Sequence, residues 1–331
     1  MSAPDEWARL VAALRAATSV LLISHRSPDG DTVGSALALA AGLRALGKRV
    51  GLACGDPIPF SLRFLEGWAD YADTLAGPAY DLVVAVDCAD ASQMGALAGP
   101  VLHLTAAATP PLANLDHHRS NTRYGAINAV DAESASVAEM VHKLLGQLGV
   151  ALTPTTAQAL LTGIINDTHS FQNANSTAAA LRAAAALVEA GAAAAVVTFH
   201  LFRSRRPQGA YLWGRVLPTL ALAEGGRVAS LLVTPQMFTE TGADANMDTD
   251  GLVDILSGII GVDLAMLIKA TGPASSKASL RTSAAVDAVA MVTPFGGGGH
   301  NRAAGCDVPL APAEAREALL EVYRHAVGGG A

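Results

Sequence analysis

The 331-residue chain has few cysteines: only Cys54, Cys88 and Cys306, with no C-x-x-C pair among them. An odd and small number of cysteines argues against a disulfide framework. The first residues also lack the charged start and apolar run that a signal peptide requires. We therefore expect a protein of a reducing, cytoplasmic compartment.

Long apolar runs and an excess of positive charge are absent as well. The most apolar stretch, residues 178–195, is alanine-rich and is interrupted by Arg182, Glu189 and Gly191. A spanning helix needs about 20 strongly apolar residues, so no membrane association is expected. With 22 Lys and Arg against 29 Asp and Glu, the formal net charge is −7. Proteins that grip long duplexes use clustered basic residues, so any nucleic-acid substrate should be short.

Strand and helix patterns alternate through the first half of the chain. The patterns are typical of strands at residues 19–24, 49–53 and 81–87, and of helices at residues 32–46, 134–148, 155–165 and 177–190. The run 81–87 is almost continuously apolar, as in a strand buried on both faces of a parallel sheet. These patterns predict an α/β fold that begins with a parallel sheet.

The length predicts two domains, because 331 residues exceed one ordinary domain. We predict a first domain at residues 1–190 and a linker at residues 191–214. The remaining part, residues 215–331, contains β-rich runs and a glycine block, and a smaller α/β domain is expected there.

Carboxylates and histidines stand at four places where strands are predicted to end. The four stretches are His25-Arg-Ser-Pro-Asp29-Gly-Asp31, Val86-Asp87, Asp116-His117-His118 and Asn166-Asp167. Each alone has an ordinary explanation, such as a tight turn or a helix N-cap. In open α/β sheets, however, functional groups gather at the carboxyl ends of strands. Together the stretches predict a two-metal site, because phosphate ester hydrolysis needs a bound hydroxide and neutralised phosphate oxygens.

With all four stretches in this order, the chain resembles the DHH phosphoesterase superfamily. The matching motifs are Ser24–Asp31, Val86-Asp87, Asn114-Leu-Asp116-His117-His118-Arg-Ser-Asn121 and Asp167-Thr-His-Ser-Phe171. In the second half, Lys277-Ala-Ser-Leu-Arg281 and Phe295-Gly-Gly-Gly-Gly-His300-Asn-Arg-Ala-Ala-Gly305 resemble the family's associated C-terminal domain. The resemblance covers essentially the whole chain, and it implies an active site in the cleft between the two domains.

The resemblance implies two Mn²⁺ ions in each active site. The implied ligands are His25, Asp29 and Asp87 for one ion, and Asp31, Asp87, His117 and Asp167 for the other. Mixed carboxylate and imidazole ligands suit Mn²⁺, with Co²⁺ or Mg²⁺ as substitutes. His118 is expected to contact the phosphate or to assist proton transfer, and Asp116 to orient His117 through its second ring nitrogen.

The glycine block predicts an anion-binding site, because consecutive glycines let backbone N–H groups approach an anion closely. Nearby cationic groups would add charge-assisted hydrogen bonds. The substrate-binding candidates are Arg119, Asn121, Arg281, Gly297, Gly298, Gly299, His300 and Arg302. His169 stands where the family's fourth motif often has a small residue. His169 could contact the substrate or a metal ion, or its side chain could face the solvent, and the sequence leaves both alternatives open.

Within the superfamily, the resemblance implies the bacterial oligoribonuclease branch. Such an enzyme hydrolyses very short RNAs, including dinucleotides such as pApA or pGpG, to 5′-mononucleotides. It also dephosphorylates 3′-phosphoadenosine 5′-phosphate to AMP, and family resemblance suggests a homodimer. A cyclic di-AMP phosphodiesterase is the alternative within the class. A catalytically silent nucleotide-binding sensor is the alternative of another class.

Overall fold

The computed structural model of the chain describes residues 4–75, 79–107, 110–245 and 248–328. Of residues 4, 5, 300 and 328 it describes the backbone only. The chain forms two compact units, Met1–Ser204 and Arg205–Ala331. The division falls inside the predicted linker, residues 191–214, whose described structure is largely helical. The predicted domain boundaries themselves stay predictions.

The first unit contains a six-stranded parallel sheet. Its strands are β1 (Ser19–Ser24), β2 (Arg49–Ala53), β3 (Tyr71–Ala72), β4 (Leu82–Val86), β5 (Leu112–Asp116) and β6 (Ile127–Val130). They lie in the order β3-β2-β1-β4-β5-β6, and every neighbouring pair is parallel. The chain thus builds outward from β1 to one edge and then returns to place β4 beside β1. A crevice forms at the carboxyl ends of strands where the order reverses.

Helices flank this sheet. They are α1 (Pro4–Ala16), α2 (Gly30–Ala45), α3 (Ala98–Thr105), α4 (Val137–Leu148), α5 (Pro154–Asp167), α6 (Ala178–Glu189) and α7 (Ala194–Thr198). Short polar residues begin four of them, since Asp29, Ser136, Thr153 and Thr177 each accept a hydrogen bond from a backbone N–H of the first turn. A π-helical turn, Phe199–Arg203, follows α7 and ends the unit.

The central strands are buried on both faces, as the continuous apolar runs predict. Every residue of β1 and β4 is buried. Alternate side chains of a strand point to opposite faces, so Leu22 and Val84 enter one hydrophobic cluster while Leu21 and Val83 enter another. Cys88 is fully buried in the second cluster.

Helices α2 and α5 pack very closely because each has a glycine where the two helices meet. A Cβ atom on Gly34 of α2 would overlap the backbone carbonyl oxygen of Ala159 in α5. A Cβ atom on Gly163 of α5 would lie 2.5 Å from Oδ1 of Asp31 and 2.5 Å from Cβ of Ala138. This close approach brings the end of α5 to the start of α2.

The second unit has a mixed six-stranded sheet with helices. Its elements are α8 (Pro207–Val216), β7 (Ala221–Ala223), β8 (Val228–Val233), α9 (Pro235–Thr241), α10 (Leu252–Ser257), β9 (Leu264–Gly272), β10 (Ser275–Thr282), α11 (Ala288–Val292), β11 (Gly298–His300), β12 (Ala303–Val308) and α12 (Pro312–Gly328). The order is β11-β12-β10-β9-β8-β7, in which only the pair β8 and β9 is parallel. Separate hydrophobic clusters cover its two faces. The α/β fold with two sheets is therefore as predicted.

Within the described part of the chain, no single helix is long and apolar enough to cross a membrane. One pair, Ala178–Glu189 with Ala194–Arg203, meets the length and composition of a span only when both members are counted together across a bend of 113°.

Replacing Gly34 by alanine is expected to destabilise the protein. The added methyl group would force α2 and α5 apart, at a cost of about 1–3 kcal/mol in the free energy of unfolding. Gly146 of α4 is the matched control, because an added Cβ there meets no atom within 4 Å among the described residues. Gly146→Ala should instead stabilise the protein by about 0.5–1 kcal/mol. Urea unfolding followed by circular dichroism measures both, and an unchanged midpoint for Gly34→Ala would contradict the packing argument.

Candidate metal centre

Three neighbouring strands deliver the predicted ligands to one edge of the sheet. His25 follows β1, Asp87 follows β4, and His117 follows β5. Strands β1 and β4 are the pair between which the strand order reverses. The sheet order alone therefore places these three side chains around the crevice that the topology creates.

Asp167 lies on a different kind of element from the one predicted. The prediction that Asn166-Asp167 ends a strand is wrong, because Asp167 is the last residue of α5. Thr153 caps this helix and Pro154 occupies its first turn, so the segment is helical from its start. The close packing of α5 on α2 brings the carboxylate of Asp167 to the same edge as the strand ends.

Six predicted ligands come together in two neighbouring groups. Nε2 of His25 lies 3.7 Å from Oδ1 of Asp29 and 3.5 Å from Oδ2 of Asp87. Nε2 of His117 lies 3.1 Å from Oδ2 of Asp167, 3.7 Å from Oδ1 of Asp87 and 4.0 Å from Oδ2 of Asp31. Each of the groups His25-Asp29-Asp87 and Asp31-His117-Asp167 has its ligand atoms within 4.8 Å of one another. Asp87, His117 and His118 form a third such group.

Asp87 lies between the two groups in a strained conformation. Its backbone φ of 62° is in the left-handed region, which costs a residue other than glycine about 1–2 kcal/mol. The side chain is 3% exposed, and among the described residues its Oδ1 atom accepts no hydrogen bond. A buried acceptor without a donor is destabilising. An oxygen of this kind, beside imidazole nitrogens and further carboxylates, fits a divalent cation such as Mn²⁺.

Asp31 is fully buried and held by the start of a neighbouring helix. Its Oδ2 accepts the N–H of Val137 at 2.6 Å, and its Oδ1 accepts the N–H of Ala138 at 2.9 Å and the hydroxyl of Ser35 at 3.1 Å. Val137 and Ala138 begin α4, where unpaired N–H groups favour negative charge. The sequence analysis missed these contacts, although the pattern Ser136-Val-Ala-Glu139 is a capping box that marks this helix start.

Burial and neighbouring charges shift the pKa values of several predicted ligands. Burial raises the pKa of Asp31 well above its ordinary value, and the nearby carboxylates of Asp167 and Asp87 add to this effect. Burial also raises the pKa of Asp167. Burial alone would lower the pKa of His25, but its contacts with Asp29 and Asp87 hold that pKa well above the ordinary value. The site therefore concentrates negative charge that a bound cation would neutralise.

Asp116 orients His118, so the expectation that it orients His117 is wrong. Oδ1 of Asp116 lies 2.7 Å from Nδ1 of His118. Nδ1 of His117 instead lies 3.2 Å from the carbonyl oxygen of Ser134. The reason is the alternation of extended chain, in which residues two apart point to the same side and adjacent residues to opposite sides.

The predicted substrate-binding residues of the first unit differ in exposure. Arg119 is exposed and pairs with Glu133 at 3.2 Å. Asn121 points inward, where its Nδ2 donates to Oδ2 of Asp116 and to Oδ1 of Asn114, both at 2.6 Å. Asn121 therefore supports Asp116 in the described structure, while its role toward a substrate stays a prediction.

In the second unit, two arginines that were predicted to bind the substrate donate hydrogen bonds to other residues of the same unit. Nε of Arg281 donates to Asp254 at 2.9 Å, and Arg302 donates to the carbonyl oxygens of Ser283, Ala284 and Val286. Gly297 and Gly299 pack against β12, since a Cβ on either would come within 2.5 Å of a carbonyl oxygen. Among the described residues, no atom lies within 4 Å of a Cβ placed on Gly298. The side chain of His300 lies outside the described residues.

The segment after Asp167 is also strained. His169, Ser170 and Phe171 are three consecutive residues with left-handed φ angles of 47°, 56° and 64°. The ring of His169 packs edge to face against Phe202 of the π-helical turn, with ring centroids 5.0 Å apart. Strain of this kind persists only where the surroundings hold it. No local pattern in the sequence indicates that Phe202 supports His169.

Comparison with known proteins identifies the family. Residues 19–164 match the DHH family, N-terminal domain, and residues 234–329 match the DHHA1 domain. The chain is 35% identical over 327 residues to the bifunctional oligoribonuclease and PAP phosphatase NrnA of Thermus thermophilus, covering 97% of this chain and 95% of the relative. The chain belongs to the DHH family. The family predicted from the four motifs is thus confirmed.

Further relatives agree with this DHH assignment. The protein of the same name from Bacillus subtilis is 26% identical over 74% of this chain and 75% of its own length. The structure of an exopolyphosphatase-related protein from Bacteroides fragilis superposes with a TM-score of 0.84 at 20% identity, covering 99% of this chain and 96% of that one. A structure of exonuclease RecJ bound to manganese has a TM-score of 0.50 at 17% identity, with 97% and 93% covered. These two structures support the fold alone.

Replacing Asp167 by asparagine is expected to stabilise the metal-free protein. Because burial raises the pKa of Asp167 in the folded state, its charged form opposes folding. This penalty grows as the pH rises from the ordinary carboxyl range to the raised pKa and is constant above it. At pH 8 in EDTA we expect the melting temperature to rise by about 2–4 °C, and we expect the gain to shrink as the pH is lowered toward the ordinary carboxyl range. The stabilisation that Mn²⁺ gives the wild type should be lost.

Asp287→Asn is the matched control for this measurement. Asp287 caps α11 in the second unit, and asparagine caps helices equally well. Its melting temperature and its response to Mn²⁺ should match the wild type in differential scanning fluorimetry. An Asp167→Asn protein that is less stable in EDTA and still responds to Mn²⁺ would contradict the charge argument.

Proposed function

We propose that this DHH protein is a metal-dependent phosphoesterase that degrades very short RNAs to 5′-mononucleotides and converts 3′-phosphoadenosine 5′-phosphate to AMP. The observation that carries the proposal is that Asp87 belongs to one ligand group with His25 and Asp29, while its other oxygen lies 3.7 Å from His117 of the second group. The 35% identity over nearly the whole length to an oligoribonuclease and PAP phosphatase supports the choice of substrates.

We assign His25, Asp29 and Asp87 to one Mn²⁺ and Asp31, Asp87, His117 and Asp167 to a second, with Co²⁺ or Mg²⁺ as substitutes. Bound there, two divalent cations supply a hydroxide at neutral pH and neutralise phosphate oxygens. Asp29 also caps α2 through the same carboxylate, with Oδ1 accepting the N–H of Asp31 at 2.9 Å. That hydrogen bond fixes the direction of its remaining oxygen.

His118 is assigned the contact with the reacting phosphate. Its Nδ1 lies 2.7 Å from Asp116, whose other oxygen accepts a hydrogen bond from Asn121. This arrangement fixes the ring, and Nε2 is the atom that we assign to the substrate. Hydrolysis adds water to phosphorus and breaks the bond to O3′, and the proton taken up by O3′ is the one that His118 would supply.

The glycine block of the second unit is proposed to bind the terminal phosphate of the substrate. No atom of the described part of the chain stands where a side chain of Gly298 would be, so an anion could approach its backbone closely. Recognition of one chain end favours short substrates, in keeping with the net charge of −7. We also propose a homodimer and a cytoplasmic location, the latter supported by the three buried free cysteines.

The substrate preference is tested by Mn²⁺-dependent hydrolysis of four compounds. These are 3′-phosphoadenosine 5′-phosphate, RNA of two to five nucleotides, RNA of about 24 nucleotides and cyclic di-AMP. We expect the bisphosphate and the shortest RNAs to react fastest and to yield AMP and 5′-mononucleotides. Asp87→Ala should lower kcat/KM about a thousandfold or more, and His118→Ala about 10²–10⁴-fold.

His103→Ala, which removes an exposed histidine from α3, is the control and should keep full activity. Release of 3′-mononucleotides would reject the proposed bond cleavage. If cyclic di-AMP is the best substrate, the protein is instead a cyclic di-AMP phosphodiesterase that degrades a second messenger. Tight binding without hydrolysis would indicate a sensor.

Gly298→Ala tests the phosphate contact separately from the metal site. Because no described atom lies within 4 Å of the added Cβ, the fold should tolerate it. A methyl group there would still obstruct a phosphate, so KM for the bisphosphate should rise about tenfold with little change in kcat. Gly214→Ala, in equally open surroundings on α8, should leave KM unchanged. Equal KM values for the two variants in steady-state assays would remove Gly298 from the binding site.

A further inference from the structure

Three side chains converge on one backbone carbonyl beside the candidate metal centre. The carbonyl oxygen of Cys88 accepts hydrogen bonds from Nδ2 of Asn114 at 2.9 Å, from the hydroxyl of Tyr124 at 3.2 Å and from Nδ2 of Asn121 at 3.4 Å. A carbonyl oxygen has two lone pairs, so the contacts from Asn114 and Tyr124 saturate it. The contact from Asn121 is the weakest of the three, because its two amide protons also go to Asp116 and Asn114 at 2.6 Å. We call this arrangement the Cys88 clamp.

The clamp acts on the residue next to Asp87. On the other side of Asp87, its own backbone N–H donates to the carbonyl oxygen of Leu115 in β5 at 2.9 Å. The chain is therefore tied to β5 and to the loop after it on both sides of the left-handed residue. A conformation with φ of 62° at an aspartate needs this kind of external support.

The three donors are themselves held in place. Asn114 is fully buried on β5, and its Oδ1 accepts a hydrogen bond from Asn121 at 2.6 Å. Tyr124 packs its ring against the hydrophobic cluster that contains Cys88. The clamp thus joins a buried strand, the loop that follows it and the strained residue in one network of hydrogen bonds.

We propose that Asn114, Asn121 and Tyr124 are positioning residues, which hold Asp87 in its left-handed conformation and thereby set the affinity of the site for divalent cations. The inference rests on the proposed role of Asp87 as a shared ligand. Because Oδ2 of this carboxylate lies 3.5 Å from His25 of one ligand group and Oδ1 lies 3.7 Å from His117 of the other, one rotation of its backbone would displace both oxygens.

Isothermal titration of the full-length protein with Mn²⁺ tests the clamp without any substrate. Tyr124→Phe removes one hydroxyl and keeps the ring, and we expect the affinity for Mn²⁺ to fall about fivefold. Asn114→Ser removes the shortest of the three hydrogen bonds, and a fall of about tenfold or more is expected. Tyr80→Phe is the matched control, because Tyr80 packs against the same cluster. Its affinity should stay within about twofold of the wild type.

The melting temperature in EDTA is measured for each variant in parallel. A merely structural role for Tyr124 would lower this temperature and leave the affinity for Mn²⁺ unchanged, and that result would overturn the inference. If Asn114→Ser fails to fold, the affinities of Tyr124→Phe and Tyr80→Phe for Mn²⁺ decide whether the inference holds. A wild-type protein that binds no Mn²⁺ would overturn the proposed function itself, and the clamp with it.

Discussion

The crowding of acidic groups at one buried place is the constraint on which the first unit depends. Asp31 and Asp87 are buried, and the carboxylates of both lie within 4 Å of the ring of His117. Asp167 approaches the same ring more closely still. Repulsion between desolvated carboxylates opposes folding. The surrounding structure has to supply positive potential and rigid support from several directions.

The fold supplies both through simple elements. The reversal of strand order puts two histidine-bearing strand ends and Asp87 around one crevice. The first N–H groups of α4 face Asp31, so a helix terminus offsets part of its charge. Glycines at Gly34 and Gly163 let α5 approach closely enough to add Asp167. Each of these contributions comes from backbone groups or missing side chains, which leave room for the ligands themselves.

The sequence predicted the parts of this arrangement that are local. Apolar runs ending in Asp or His identified β1, β4 and β5, and the order of the motifs identified the family. The partner of Asp116 is His118 and not His117, because side chains alternate after β5 and residues two apart share a side. The helix predicted at residues 155–165 is confirmed, and it extends through Asp167, which was predicted to end a strand. Long-range hydrogen bonds, such as those from α4 to Asp31, leave no trace in local patterns.

The backbone conformation of the strained residues could not be predicted from local sequence preferences. Asp87 and the run from His169 to Phe171 adopt left-handed angles that their side chains disfavour. Local propensity at these positions points away from the observed conformation, so it must be imposed by distant partners such as Asn114 and Phe202. Asp87 is itself a predicted metal ligand, and the run from His169 to Phe171 follows the predicted ligand Asp167. Strain at Asp87 is held by hydrogen bonds with the buried strand β5, and strain after Asp167 is held by the packing of His169 on Phe202, so both supports lie where the predicted ligands need a defined direction.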